Sequence, residues 1–237
     1  MIGKVLRIGG ICAVVGLLLV VVVMSVMAKP NYAEKVWDTR ATMGDPETAE
    51  HHFVMYTDVM CPYCDVITRL MIVNEDEFKR DYIEGKKVAF EVRMTDFLYE
   101  YGAHKTNNSR EGAEAIYCAK NEDKFWEYYH AAIKHLWDDY QSRGIGASSK
   151  SSPIADEALD DTYWLNIGKE VGLGDSFKKC YLNHEVLAEV QTNTERTSKA
   201  VDSGLPYLKL GNYVMNGFDT SWGWNELRQQ FDAGIKS

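Results

Sequence analysis

The stretch His52-Phe-Val-Met-Tyr-Thr-Asp58-Val-Met-Cys61-Pro-Tyr-Cys64-Asp-Val-Ile-Thr-Arg-Leu-Met71 decides the fold. Its first seven residues form a short, mostly apolar run, as in a central strand buried on both faces. Val66, Ile67, Leu70 and Met71 then recur at helical spacing. Pro62 suits a first helical position, where its missing N–H costs nothing. Cys61 and Cys64 therefore stand at a strand-to-helix junction.

That position carries chemistry. At a helix N-terminus a first cysteine faces unsatisfied backbone N–H groups and the positive end of the helix dipole, and both favour a thiolate. Such settings bring a thiol pKa from ~8.5 down to roughly 3.5–7.5. The thiolate attacks disulfides, and a second cysteine one turn further in attacks the mixed disulfide from within. Cys61 is thus the expected nucleophile and Cys64 the resolving cysteine. Half a zinc site and a purely structural disulfide are the competing readings of a lone Cys-x-x-Cys. Zinc needs two further ligands, and no second close cysteine pair exists. His51 and His52 are neighbours on a strand and point to opposite faces, so they do not complete such a site.

Downstream, Lys87–Met94 alternates, with Val88, Phe90, Val92 and Met94 on one side, and reads as a second strand. Glu75–Glu84 continues the first helix or forms another, stopped by Gly85. Residues 108–202 are helical in pattern. Asn108 or Ser109 is placed to cap one helix and Asn121 the next, while Glu157–Val171, Asp175–Leu182 and His184–Val201 follow as further helices. Phe125, Trp126, Tyr128 and Tyr129 read as core of this block, and Gln141–Pro153 as a Ser- and Gly-rich loop. Strands Tyr207–Leu210 and Asn212–Met215 and a helix Asn225–Ala233 close the chain. The order predicts an α/β domain, 51–107 and 203–237, interrupted by a helical insertion at 108–202. His104, His130, His135 and His184 are scattered, without a spacing that suggests metal or catalysis.

Upstream, Ile11–Ala28 is uncharged and apolar apart from Cys12, Gly16 and Ser25, and Lys4 and Arg7 precede it. The run exceeds the ~7–15 residues of a signal-peptide core and reaches the ~18 that mark a membrane-spanning candidate. Val26-Met27-Ala28 offers a small-residue cleavage site, but Lys29-Pro30 follows it poorly. Residues 1–30 are read as an uncleaved membrane anchor spanning 9–28, and the polar segment 31–50 as a tether. Basic residues flank both sides, so counting them does not orient the anchor. The short N-terminal tail places the large domain on the exported side. With 237 residues, 46% of them hydrophobic and 12% aromatic, the chain is globular, and its formal charge of −9 argues against a nucleic-acid partner.

Several stretches together resemble the DsbA-like branch of the thioredoxin superfamily. Phe53–Cys64 is similar to its strand and active-site helix, with Asp58 three residues before the first cysteine. Ala113–His130 is similar to the start of its helical insertion, and Phe177–Leu182 to a later insertion helix. Gly204-Leu205-Pro206 followed by Asn216-Gly217 is similar to its proline loop and final hairpin. The resemblance implies a thioredoxin-like fold carrying that insertion. It also implies a cis peptide before Pro206, lying against the cysteines; by position alone an ordinary trans loop proline serves equally well. Cys118 and Cys180 are either two buried thiols or, as the resemblance implies, a structural disulfide, which an exported domain would retain. Asp58, Pro62, Tyr63 and Leu205 neighbour the active pair. Three residues depart from the family pattern. Leu205 stands where Thr or Val is common, Tyr63 where the strongest oxidants have His, and Met55 where some members bury an acid.

The resulting expectation is a membrane-anchored, extracytoplasmic oxidoreductase that needs no cofactor or metal. It would introduce disulfides into exported proteins and be recycled by a membrane redox partner. An isomerase or reductase on the same fold, and a metal carrier using both thiolates, are the alternatives.

Overall fold

A computed structural model describes residues 35–237, except 86–87, 104, 144–156, 216–217 and 219–220. The proposed anchor, Cys12, His104, Asn216-Gly217 and most of the Ser- and Gly-rich loop lie outside the described residues. No helix among the described residues is long and apolar enough to cross a membrane.

The described chain builds one five-stranded sheet. It runs through β1 (Thr42–Met43), β2 (His51–Asp58), α1 (Pro62–Val73) and α2 (Glu75–Phe78), the last continuing as a π-helical stretch, Lys79–Glu84. Then come β3 (Val88–Thr95), α3 (Phe97–Glu100), α4 (Asn108–Lys120), α5 (Phe125–Asp139), α6 (Asp161–Glu170), α7 (Asp175–Leu182) and α8 (Leu187–Ala200). β4 (Tyr207–Leu210), β5 (Tyr213–Val214) and α9 (Trp224–Ile235) complete it. The strand order is β1-β3-β2-β4-β5. β2 and β3 are parallel, joined across α1 and α2 as a parallel pair requires. β2 and β4 are antiparallel.

β2 is central, paired on both edges and covered on both faces, which is why it reads as an unbroken apolar run. One face packs Phe53, Met55, Phe90 and Val92 with Ile67, Phe78, Tyr129 and Phe231 into the main core. The other carries Val54, Tyr56 and Tyr207. That second face also buries the polar side of β3. Arg93 donates to Glu91 Oε2 from Nε at 3.0 Å and Nη2 at 2.8 Å, and to the Tyr56 hydroxyl from Nη1 at 2.6 Å. Two buried charges are tolerable here because each is hydrogen-bonded to the other.

Most of the segment read as a tether is folded. Val36–Glu50 belongs to the folded unit. The Trp37 backbone N–H donates to Glu91 Oε1 at 2.6 Å, and the guanidinium groups of Arg93 and Arg196 lie over its ring, 4.2 and 5.3 Å from its centroid. The polar composition of 31–50 hid this, since one tryptophan and the short Ala41–Met43 stretch do the docking.

Other boundaries shift for local reasons. The helix expected from Glu157 begins at Asp161, where the Asp160 carboxylate caps it by accepting from the Tyr163 N–H. Asn121 does not cap α5; it ends α4, and α5 starts at Phe125 without a side-chain cap. The long helix expected from His184 starts at Leu187, because His184 has φ 53° and breaks the run. The insertion helices form a real core around Tyr128, Trp164 and Phe177, and Cys118 on α4 is joined to Cys180 on α7 with Cα atoms 5.8 Å apart.

Candidate active site

Register fixes where the site lies. β2 and β3 end level, Asp58 opposite Thr95, while antiparallel β4 begins with Tyr207 opposite Tyr56. The turn after β2 and the residues just before β4 therefore meet at one edge of the sheet. Cys61 and Pro206 are brought together there from 145 positions apart in sequence.

Cys61 is the N-cap of α1, in extended backbone, with Pro62 at the first helical position. Its sulfur accepts from the Cys64 N–H at 3.4 Å and its thiol faces the Leu205 carbonyl at 3.7 Å. A sulfur in the N-cap role receives an otherwise orphaned helix N–H, the interaction that stabilises a thiolate there. The Leu205–Pro206 peptide is cis, and Gly204 before it has φ +101°, a left-handed backbone that glycine adopts freely. Cys64 is fully buried. Burial pushes its thiol well above the ordinary range, reinforced by the neighbouring Cys61, while the Thr57 hydroxyl acts the other way. Cys61 thus stands at the start of the helix, with Cys64 one turn further in. Both are free thiols in this structure.

Asp58 is a hub rather than a surface carboxylate. Its Oδ1 accepts from the Met60 N–H at 2.9 Å; its Oδ2 accepts from the Leu98 N–H at 2.9 Å and the Ser109 hydroxyl at 2.5 Å. It ties the redox turn to α3 and α4. Burial pushes its pKa up to about 6, against the pull of those three donors.

Around the cysteines, Tyr63 is 42% exposed and meets Phe218 edge-on at 6.3 Å, and Phe218 meets Trp222 at 5.4 Å. This leaves an aromatic surface beside an otherwise recessed Cys61. No group of three or more potential metal-ligating side chains occurs among the described residues. His130 lies 3.9 Å from Glu75, His135 pairs with Glu170 at 2.7 Å and His184 with Glu114 at 2.8 Å, all away from the cysteines in sequence and role.

Two site residues escaped the sequence reading. Asp65 is fully buried beside the cysteines, and Gln141 donates its amide to Asp65 Oδ2. Gln141 lies not in a loose loop but in a short 3-10 turn, Gln141–Arg143, closing α5. A signal for Asp65 existed: four residues after the N-cap Cys61, it falls on the same helix face.

A family model described as Thioredoxin matches residues 37–229. No curated protein matches the chain. Among solved structures, a thioredoxin-like oxidoreductase from Silicibacter pomeroyi DSS-3 is 22% identical, covering 84% of this chain and 95% of that one, with a TM-score of 0.55. BdbD from Bacillus subtilis is 16% identical over 83% and 93%, with a TM-score of 0.60. The thiol-disulfide exchange protein alpha-DsbA2 from Wolbachia pipientis is 18% identical over 85% and 91%, with a TM-score of 0.57. At these identities the likeness is one of fold.

Proposed function

Because this chain belongs to the thioredoxin family, with the fold of DsbA-like thiol–disulfide oxidoreductases, we propose that it is an enzyme that oxidises protein dithiols through Cys61 and Cys64. The observation that carries the reading is the Cys61 sulfur in the N-cap of α1, facing the backbone carbonyl before Pro206, with Cys64 buried behind it.

In the oxidised enzyme a substrate thiolate attacks the Cys61 sulfur. Cys64 leaves with the electron pair and then takes up a proton. A second substrate thiolate attacks the substrate sulfur of the mixed disulfide. The substrate disulfide forms and Cys61 leaves as a thiolate. Two electrons have passed to the enzyme, and a partner must remove them. Tyr63, Phe218 and Trp222 supply apolar contact for the substrate chain beside the cysteines. The backbone next to Leu205 supplies hydrogen bonds to an extended segment.

In this reading, residues 9–28 hold the enzyme in a membrane, the folded domain faces the oxidising side, and the substrates are exported proteins. The Cys118–Cys180 bond supports that placement, since such bonds persist outside the reducing cytosol. The test uses the full chain expressed with its N-terminal segment. Cys64→Ser should accumulate mixed disulfides through Cys61 in the membrane fraction, resolved by reductant on gels; Cys61→Ser should trap few. Equal trapping by the two variants would overturn the assigned roles, and trapping only of cytosolic proteins would overturn the location.

A further inference from the structure

Asp65 follows Cys64 directly, and its carboxyl is sealed inside the protein. Its N–H donates to the Cys61 carbonyl at 3.0 Å, so its side chain leaves the helix one turn below Cys61. Oδ2 receives the Gln141 amide, whereas Oδ1 is buried with no hydrogen-bond partner among the described residues. A buried carboxyl half-satisfied by one neutral amide is a costly arrangement unless it remains protonated.

The groups facing it supply little compensation. On its own helix these are Cys61 and Arg69, and the Arg69 guanidinium stacks 3.3 Å from the Trp137 ring centroid without an ion pair to Asp65 among the described residues. Asp58 faces it from the end of β2, Tyr129 from α5 and Tyr163 from α6. Burial, then the nearby Cys61 sulfur, push the carboxyl well above its usual range; the Gln141 amide and the Arg69 charge offset part of this, and Asp58 adds to it.

We propose that Asp65 is a positioning residue for thiol–disulfide exchange, sharing one negative charge with the Cys61 sulfur so that carboxylate and thiolate form at each other's expense. The proposal rests on the oxidoreductase reading above. Its consequence follows from electrostatics alone. A disulfide oxidant is strong when its reduced form is stabilised. An ionised Asp65 destabilises the Cys61 thiolate, so the enzyme becomes a milder oxidant as Asp65 loses its proton. Neutral Asp65 removes that restraint. The pair then titrates in two macroscopic steps that belong to both groups.

Asp65→Asn keeps the shape and removes the charge. The measurement is the rate at which Cys61 of the reduced full-length protein is alkylated by iodoacetamide across pH, with the site identified by mass. Wild type should give a two-step profile and Asp65→Asn one step. The variant should react up to about tenfold faster between the two wild-type steps, one pK unit of coupling, and match wild type at both extremes. Gln141→Leu is the second variant. It strips Asp65 of its amide donor, so the upper step should move to higher pH, and it keeps the test alive if Asp65→Asn does not fold. Superimposable single-step profiles for wild type and both variants would overturn the proposal. Exchange with glutathione, followed in the same samples, reports separately on the oxidoreductase reading; its absence would sink that reading, while the alkylation profile still decides the role of Asp65.

Discussion

At the scale of single residues, Asp58 concentrates more of the site's structure than either cysteine. Replacing it with alanine leaves the Met60 and Leu98 N–H groups and the Ser109 hydroxyl buried without their acceptor. At about 1 kcal/mol for each lost bond, Asp58→Ala should lower stability by about 2–4 kcal/mol, read from urea unfolding. Protonation of the same group has the opposite sign to that of an ordinary ion-paired carboxylate. Its native pKa, about 6, lies above its ordinary value of 3.8, so the folded protein holds this proton more tightly than the unfolded chain. The contribution is full below about pH 4 and is lost as pH rises towards about 6. Over that window the stability of wild type minus that of Asp58→Asn should fall by about 2–3 kcal/mol; a flat difference would show that Asp58 titrates normally.

At the scale of elements, α4 is held on two sides. The Cys118–Cys180 bond ties it to α7 across a sequence separation of 62. Chain-entropy reasoning gives an upper limit of about 4 kcal/mol for a loop of that size. The Cys118→Ala/Cys180→Ala protein should therefore unfold at lower urea while keeping its exchange activity, since neither sulfur touches the active pair. Loss of activity without loss of stability would contradict this. On its other side, Gly112 admits Val59 and Trp164: a Cβ there would lie 2.5 Å from Val59 Cγ1 and 2.7 Å from the Trp164 ring. Alanine is the better helix former by ~1 kcal/mol, yet Gly112→Ala should destabilise by about 1–3 kcal/mol in the same assay, because overpacking the turn before Cys61 wins.

These elements also mark what the sequence disclosed. β2, α1, α7 and β4 were legible because their signals are local: an apolar run, a helical repeat, a proline at a helix start, a proline before a strand. Asp65 and Gln141 were not, because they lie 76 residues apart and each alone looks like surface. An acidic residue on a helix and a glutamine at the head of a Ser- and Gly-rich stretch are ordinarily solvated; only the packing of α5 against α1 buries them as a pair. Trp37 was hidden in the same way, since its partners Glu91, Arg93 and Arg196 come from β3 and α8.

At the scale of the whole molecule, the thioredoxin-like sheet supplies the edge on which the cysteines and the Pro206 loop meet, and the insertion is tied to β2 and α1 by the Ser109–Asp58, Gln141–Asp65 and Tyr129–Thr68 hydrogen bonds. In the proposed oxidase the Cys61 sulfur caps a helix N-terminus, Tyr63 adds no cation beside it, and a charged Asp65 would oppose its thiolate. On that proposal the enzyme is an oxidant of intermediate strength. Equilibration of the full-length protein with glutathione buffers, read by mass after alkylation with Cys118–Cys180 scored separately, measures this directly. The expected Cys61–Cys64 potential lies above about −270 mV and below about −120 mV. A value at or below about −270 mV, with the pair reduced in cells, would contradict an oxidase and favour a reductase or isomerase.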